Sequence, residues 1–195
     1  NGVKDCFTDY REMLNGADVA AVLVANPDAF HTEVALAGIE RGTHVLVEKP
    51  MCITLRECDE IIEAARANDV VVQVGYMRRH SPAVAVAKQW LQELGPVHFA
   101  RVHDIVGRND LIVDQAARVI TGDPGGGGRE THQHAEQHLL ERSSVPALGA
   151  HQSAYRLLLG LGCHDTSLAR EMLGPPTRVI YSASRRKQSY ITSAF

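Results

Sequence analysis

Residues 18–31 read DVAAVLVANPDAFH, and the fold turns on how that stretch is taken. Asp18 to Ala25 is short, Val-rich and almost wholly apolar, and it stops at Asn26-Pro27. A run of that kind, without alternation, predicts a strand covered on both faces, as in a parallel sheet flanked by helices. Two similar runs follow, Thr43 to Glu48 (THVLVE) and Val70 to Gly75 (VVVQVG). Helical patterns lie between them. His31 to Arg41 is the first, with Gly42 as its terminator. The second opens on the Thr54-x-x-Glu57 capping box and places Cys58, Ile61, Ile62 and Ala65 on one face through Arg66. Strands alternating with helices through short joints predict a doubly wound α/β sheet.

After Tyr76 the pattern changes. Ser81 and Pro82 form an N-cap and first-turn pair for a helix that reaches Leu94 and ends at Gly95-Pro96. Trp90 and Leu91 belong to a face of that helix, which implies packing. Val97 to Val106 alternates polar and apolar residues, which predicts a strand with one wet face in a second, antiparallel domain. Residues 107–150 are rich in Gly, His, Arg and acids and read as a long surface excursion. Gln152 to Leu161 and His164 to Leu173 are helical in pattern, and Thr177 to Ser184 resumes a strand. The expected division is a partial Rossmann domain over 1–80 and, over 81–195, part of an α+β domain with an open, largely antiparallel sheet.

Composition narrows the function. With 195 residues, 45% hydrophobic and 22% charged, the chain is globular, neither disordered nor collagenous. A net charge of -3, from 20 Lys+Arg and 23 Asp+Glu, gives no basic field for nucleic acid. No apolar run approaches the ~18 residues of a membrane span, so a cytoplasmic protein is the expectation. Cys6, Cys52, Cys58 and Cys163 lack C-x-x-C spacing and read as small buried thiols. His132, His134 and His138 form H-x-H-x3-H, a spacing that can bind zinc or nickel. They sit in a Gly-rich stretch with nothing to fix ligand geometry, and no metal is assigned. His44 and His98 alternate within strands and read as ordinary surface or core histidines.

Ligands of such sheets bind at the strands' carboxyl ends. Two of these ends carry unusual chemistry. Asn26-Pro27-Asp28-Ala29-Phe30-His31 places a histidine at a helix start, facing the crevice, and Glu48-Lys49-Pro50 delivers a carboxylate and an ammonium directly from an apolar strand. Lys49 can donate hydrogen bonds to an oxygen that gains negative charge, and its bond to Pro50 is a candidate cis peptide. Three letters alone also fit a solvated strand exit.

Taken together, DYREML (9–14), DVAAVLVANPDAFH (18–31), AGIERGTHVLVEKPM (37–51), VVVQVGYMRRHSP (70–82) and GLGCHDTSLAREMLGPP (160–176) resemble the glucose–fructose oxidoreductase / inositol dehydrogenase / rhizopine-catabolism (Gfo/Idh/MocA) family. The resemblance implies an NAD- or NADP-dependent oxidoreductase that exchanges hydride with a secondary alcohol or ketone of a sugar, polyol or related small molecule. It also implies a homo-oligomer. Lys49 matches the family's active-site lysine and His164 its general-base histidine. Asn26, Pro27, His31, Glu48 and Pro50 match the wall around the nicotinamide, with Lys49 beside it. Arg78 falls in a G-Y-x-x-R segment, where it either contacts substrate or braces two domains. Two departures are visible. Gly160 stands where many members have an aspartate, and no G-x-G-x-x-G precedes the first strand, so the sequence reads as a fragment of a longer protein. A non-catalytic sugar- or cofactor-binding regulator on the same fold is the alternative.

Overall fold

Val22 and Val24 alternate along one strand, Val45 and Val47 along the next, and all four are buried. They sit opposite one another, Val22 beside Val45 and Val24 beside Val47, so they present one apolar face. The computed structural model describes residues 4–105, 115, 128–142, 151–185 and 190–194. In it, β1 (Ala21–Val24), β2 (His44–Val47) and β3 (Val72–Val74) form a parallel sheet in the order β1-β2-β3. Helices α1 (Tyr10–Gly16), α2 (His31–Glu40) and α3 (Leu55–Ala67) supply Leu14, Ala35, Ile39 and Ile61 to the core against that face. The arrangement is half of a doubly wound sheet.

Local chemistry explains the joints. Gly42 takes a φ of 71°, a left-handed conformation that ends α2 as expected. A Cβ at Gly38 would come within 3.2 Å of Val22 Cγ2, so glycine lets α2 lie close on the sheet. The Thr54 and Glu57 capping box is present with both reciprocal bonds. Glu57 also accepts a hydrogen bond from Thr32 Oγ1 at 2.8 Å, fastening α3 to α2. Helix α1, capped by Asp9 accepting from Arg11 N at 2.7 Å, was not foreseen.

Several expectations need correction. The strands are not covered on both faces among the described residues: Leu23 is 64% exposed, and Leu46 and Val71 are also open. An unbroken apolar run signals two buried faces only where a second layer lies against it, and α1 to α3 gather on one side. Ile62 is exposed, because α3 buries a narrower stripe than its apolar residues would permit. Helix α4 (Pro82–Leu94) starts and stops where predicted, but it buries no residue, and Trp90 is 64% exposed. Residues 97–105 adopt no regular structure, since alternation alone makes no strand without a neighbour to bond. Cys6 is exposed and only Cys52 of the four thiols is buried.

Part of the expected surface excursion is helical: α5 spans Gly128–Arg142 and carries the three histidines. The described residues contain no group of three or more His, Cys, Asp and Glu placed to hold a metal. The remainder of 107–150 lies outside the described residues. Helix α6 (Gln152–Leu157) continues through a π turn, Leu158–Gly162, into α7 (Cys163–Leu173). The strand expected at 177–184 begins later, as β4 (Tyr181–Arg185), and pairs antiparallel with β5 (Tyr190–Ala194).

Candidate active site

The sheet's carboxyl edge is built from three turns. β1 runs into Asn26 and a short 3-10 turn, Asp28–Phe30, and β2 runs into Glu48-Lys49-Pro50, whose Lys49-Pro50 bond is cis. β3 runs into Gly75 and Tyr76. Gly75 lies close against Glu48: a Cβ there would sit 3.3 Å from Glu48 Oε2 and 3.5 Å from Glu48 Cα, so a larger residue would press on that carboxylate. That carboxylate also accepts a bond from Lys49 N at 3.2 Å.

His31 does not face the crevice. It is 2% exposed, with Nδ1 2.7 Å from Pro50 O and Nε2 2.9 Å from Asn26 O. Both partners are acceptors, so each bond is complete only when that ring nitrogen carries a proton. The ring therefore staples the β1 and β2 turns together from behind and shapes the wall without lining it. Asn26 Nδ2 donates to Phe30 O at 3.3 Å, while its buried Oδ1 has no partner. Pro27 is exposed beside it.

The carboxyl-terminal half docks on this edge. Tyr155 Oη donates to Ile53 O at 2.6 Å, and Lys49 Nζ donates to Gly160 O at 2.8 Å. Gly160 lies in the π turn, four residues before His164. The lysine therefore finds a backbone carbonyl at the position where the family resemblance led one to look for an aspartate side chain. A carbonyl has no sequence signature, so only the glycine's oddity hinted at it.

His164 is 4% exposed, and its Nδ1 is buried without a partner. Asn26 Oδ1 and His164 Nδ1 are the two such side-chain atoms among the described residues, and both belong to residues singled out from sequence. Tyr76 meets the His164 ring edge to face, with centroids 6.4 Å apart. Burial pushes the His164 pKa below its ordinary 6.5, and the charges of Arg78 and Lys49 push it the same way. The imidazole is thus a neutral base near pH 7, within electrostatic reach of the lysine.

Arg78 is committed to carboxylates. Its Nη1 lies 2.6 Å from Asp104 and 3.3 Å from Asp165, next to His164 in sequence. Burial and the neighbouring Asp104 raise the Asp165 pKa. Of the two roles open to Arg78, the geometry provides the brace. Arg79 and Lys88 both pair with Glu171 and hold α7 to the residues after β3. A polar cavity of about 240 Å³ lies alongside, lined by Tyr76, Arg79, Cys163, Thr166 and Arg170 among others.

An acceptor oxygen and a ring nitrogen, each buried and unpaired, suit a ligand that carries amide N–H and hydroxyl groups. In that sense the described edge fits the nicotinamide portion of a dinucleotide: Asn26, Glu48 and Lys49 would border it, and His31 and Pro50 would support them. Bound there, the nicotinamide ring supplies a two-electron acceptor or donor.

A parallel βαβ sheet with such an edge defines the Rossmann class. Residues 1–76 match the family model described as an oxidoreductase family with an NAD-binding Rossmann fold. Over that stretch the chain is similar to the Gfo/Idh/MocA oxidoreductases. It is 33% identical over 92 residues to levoglucosan dehydrogenase of Pseudarthrobacter phenanthrenivorans, covering 47% of this chain and 24% of that protein. It is 32% identical over 101 residues to scyllo-inositol 2-dehydrogenase (NAD(+)) of Bacillus subtilis, covering 50% of this chain and 30% of the relative. The crystal structure of a putative oxidoreductase from Magnetospirillum magnetotacticum covers 96% of this chain and 49% of its own, with a TM-score of 0.55 and 23% identity, and shares the fold. The chain spans less than half the length of these curated relatives.

Proposed function

We propose that the protein interconverts a secondary alcohol of a sugar, polyol or related small molecule with its ketone, using NAD or NADP. The observation that carries this reading is the meeting of Lys49 with the helix of His164. Lys49 Nζ donates to Gly160 O at 2.8 Å, and the unpaired His164 Nδ1 lies buried one helical turn further on. Lys49 is half-buried and has donors to spare, so it can bind the substrate oxygen and stabilise negative charge there as the proton departs. His164, neutral because its pKa is depressed, takes that proton in oxidation and returns it in reduction. His31 keeps the two turns in register, so that the alcohol carbon can be held at the short distance transfer needs. The division near residue 80, a small-molecule partner, homo-oligomeric assembly and a cytoplasmic location form part of the same proposal. Among the described residues no helix is long and apolar enough to cross a membrane.

The full-length protein incubated with NAD or NADP and a panel of polyols and sugars tests this. Growth of reduced-nicotinamide absorbance is expected with at least one polyol. Saturable cofactor or sugar binding with no absorbance change would replace the enzyme with the non-catalytic regulator.

A further inference from the structure

Cys52 and Cys58 stand apart from the reaction described above, yet they lie directly behind it. Cys52 is three residues after Lys49 and is 4% exposed, and Cys58 is half-buried in the first turns of α3. Their sulfurs are 3.0 Å apart, about 1 Å more than the ~2.05 Å of a disulfide. Six residues separate them in sequence, outside the C-x-x-C spacing by which redox pairs are usually sought. We propose that Cys52 and Cys58 form a redox-responsive thiol pair, oxidised by hydrogen peroxide to an intrachain disulfide that ties the turn after Lys49 to α3.

The pair is asymmetric in a useful way. Cys52 is enclosed, and its Sγ lies 3.4 Å from Thr54 O as well as against Cys58. The hydrogen bond to Cys58 and burial push the Cys52 thiol well up, so it keeps its proton. Receiving that bond pushes Cys58 down, toward the thiolate. The more accessible sulfur is therefore also the nucleophile. Cys58 thiolate attacks a peroxide oxygen: an S–O bond forms, the O–O bond breaks, and the leaving hydroxide picks up a proton as water. Cys52 then attacks the sulfenic sulfur: the S–S bond forms, the S–O bond breaks, and hydroxide leaves with the Cys52 proton as a second water. Two thiols lose two electrons and two protons, and one peroxide becomes two waters. A dithiol reverses the change by exchange.

The clamp would join elements that are already fastened. Glu57, next to Cys58, holds Ile53 N at 3.3 Å, Thr54 N at 2.9 Å and Thr32 Oγ1 at 2.8 Å. The sulfurs therefore have little room to separate.

The test uses the full-length protein, reduced, desalted, treated with hydrogen peroxide, alkylated in denaturant and digested with trypsin. Cleavage after Arg56 separates residues 42–56, where Lys49-Pro50 resists the protease, from residues 57–66. The expected product is one ion joining both peptides, about 2 Da below their sum, which dithiothreitol converts back to two. With Cys52→Ser, dimedone should label Cys58 as a sulfenic acid. With Cys58→Ser, peroxide-driven loss of the Cys52 thiol should slow by about tenfold or more. Recovery of residues 52 and 58 both alkylated while Cys6 is oxidised would overturn the proposal. So would a wild-type Cys58 that accumulates dimedone without the joined ion.

Discussion

The sheet's carboxyl edge and the segment from α4 to residue 105 are equally well punctuated in sequence, yet they end up in opposite conditions. At the edge nearly every polar group is spoken for: His31 spans two carbonyls, the Glu57 carboxylate accepts four hydrogen bonds, and Lys49 reaches across to Gly160. Two buried atoms, Asn26 Oδ1 and His164 Nδ1, are left open. In the other region α4 is bounded by Ser81-Pro82 and by Gly95 with a φ of 73°, but Trp90, Leu94 and Phe99 lie exposed. Local signals set where the helix starts and stops, whereas burial needs a surface to lean on. Chemistry gathers where burial and hydrogen bonding fix side chains from behind.

The contrast can be broken by substitution. Lys49→Ala in the full-length protein should cost roughly 10²–10³-fold in turnover, as loss of a charge-stabilising donor does, while dinucleotide affinity changes far less. Equal turnover in a steady-state assay would remove Lys49 from the mechanism. His31→Ala should lower stability by about 2–4 kcal/mol, since it leaves a cavity and removes the ring that ties the two turns together, and denaturant midpoints measure this. A loss below about 0.5 kcal/mol would mean the staple is not needed.

Acid should weaken the edge more gently. The folded His164 has a pKa below its ordinary value, so between the two values the unfolded chain binds a proton that the native ring refuses. Stability is fully present above pH 6.5 and declines as pH falls from there toward the folded value. His164→Asn should flatten that decline in thermal melts, and an unchanged slope would place its origin elsewhere. The smallest effect belongs to the other region. Trp90→Ala should shift stability of this chain by no more than about 0.5 kcal/mol, because the ring packs on little, and a loss of several kcal/mol in the same denaturant experiment would erase the contrast.

Much of this was legible where a single residue carries a stereochemical demand. Gly42, the Thr54 and Glu57 box, the Ser81-Pro82 start and the cis Lys49-Pro50 bond each follow from local sterics or hydrogen bonding. The position of Asn26, Glu48 and Lys49 at the strand ends is legible too, because it follows from where the apolar runs stop. What escaped depends on partners distant in sequence. Whether Leu23 and Leu46 are covered, or Val97 to Val106 becomes a strand, is decided by another layer and not by their own pattern. Lys49's acceptor is a backbone carbonyl, which any residue at 160 supplies. His31 sits at the expected edge but is buried between Pro50 O and Asn26 O, two carbonyls of which the sequence gives no warning. The sulfurs of Cys52 and Cys58 meet only because the turn before α3 folds back on the helix.

The proposed reaction needs Lys49 and His164 to share one hollow. Proton titration of His164 by NMR, in the wild-type chain and in Lys49→Met, tests it most directly. A wild-type pKa below 6.5 that rises when the lysine's charge is removed is the expected result. A His164 that titrates identically in both proteins would contradict it.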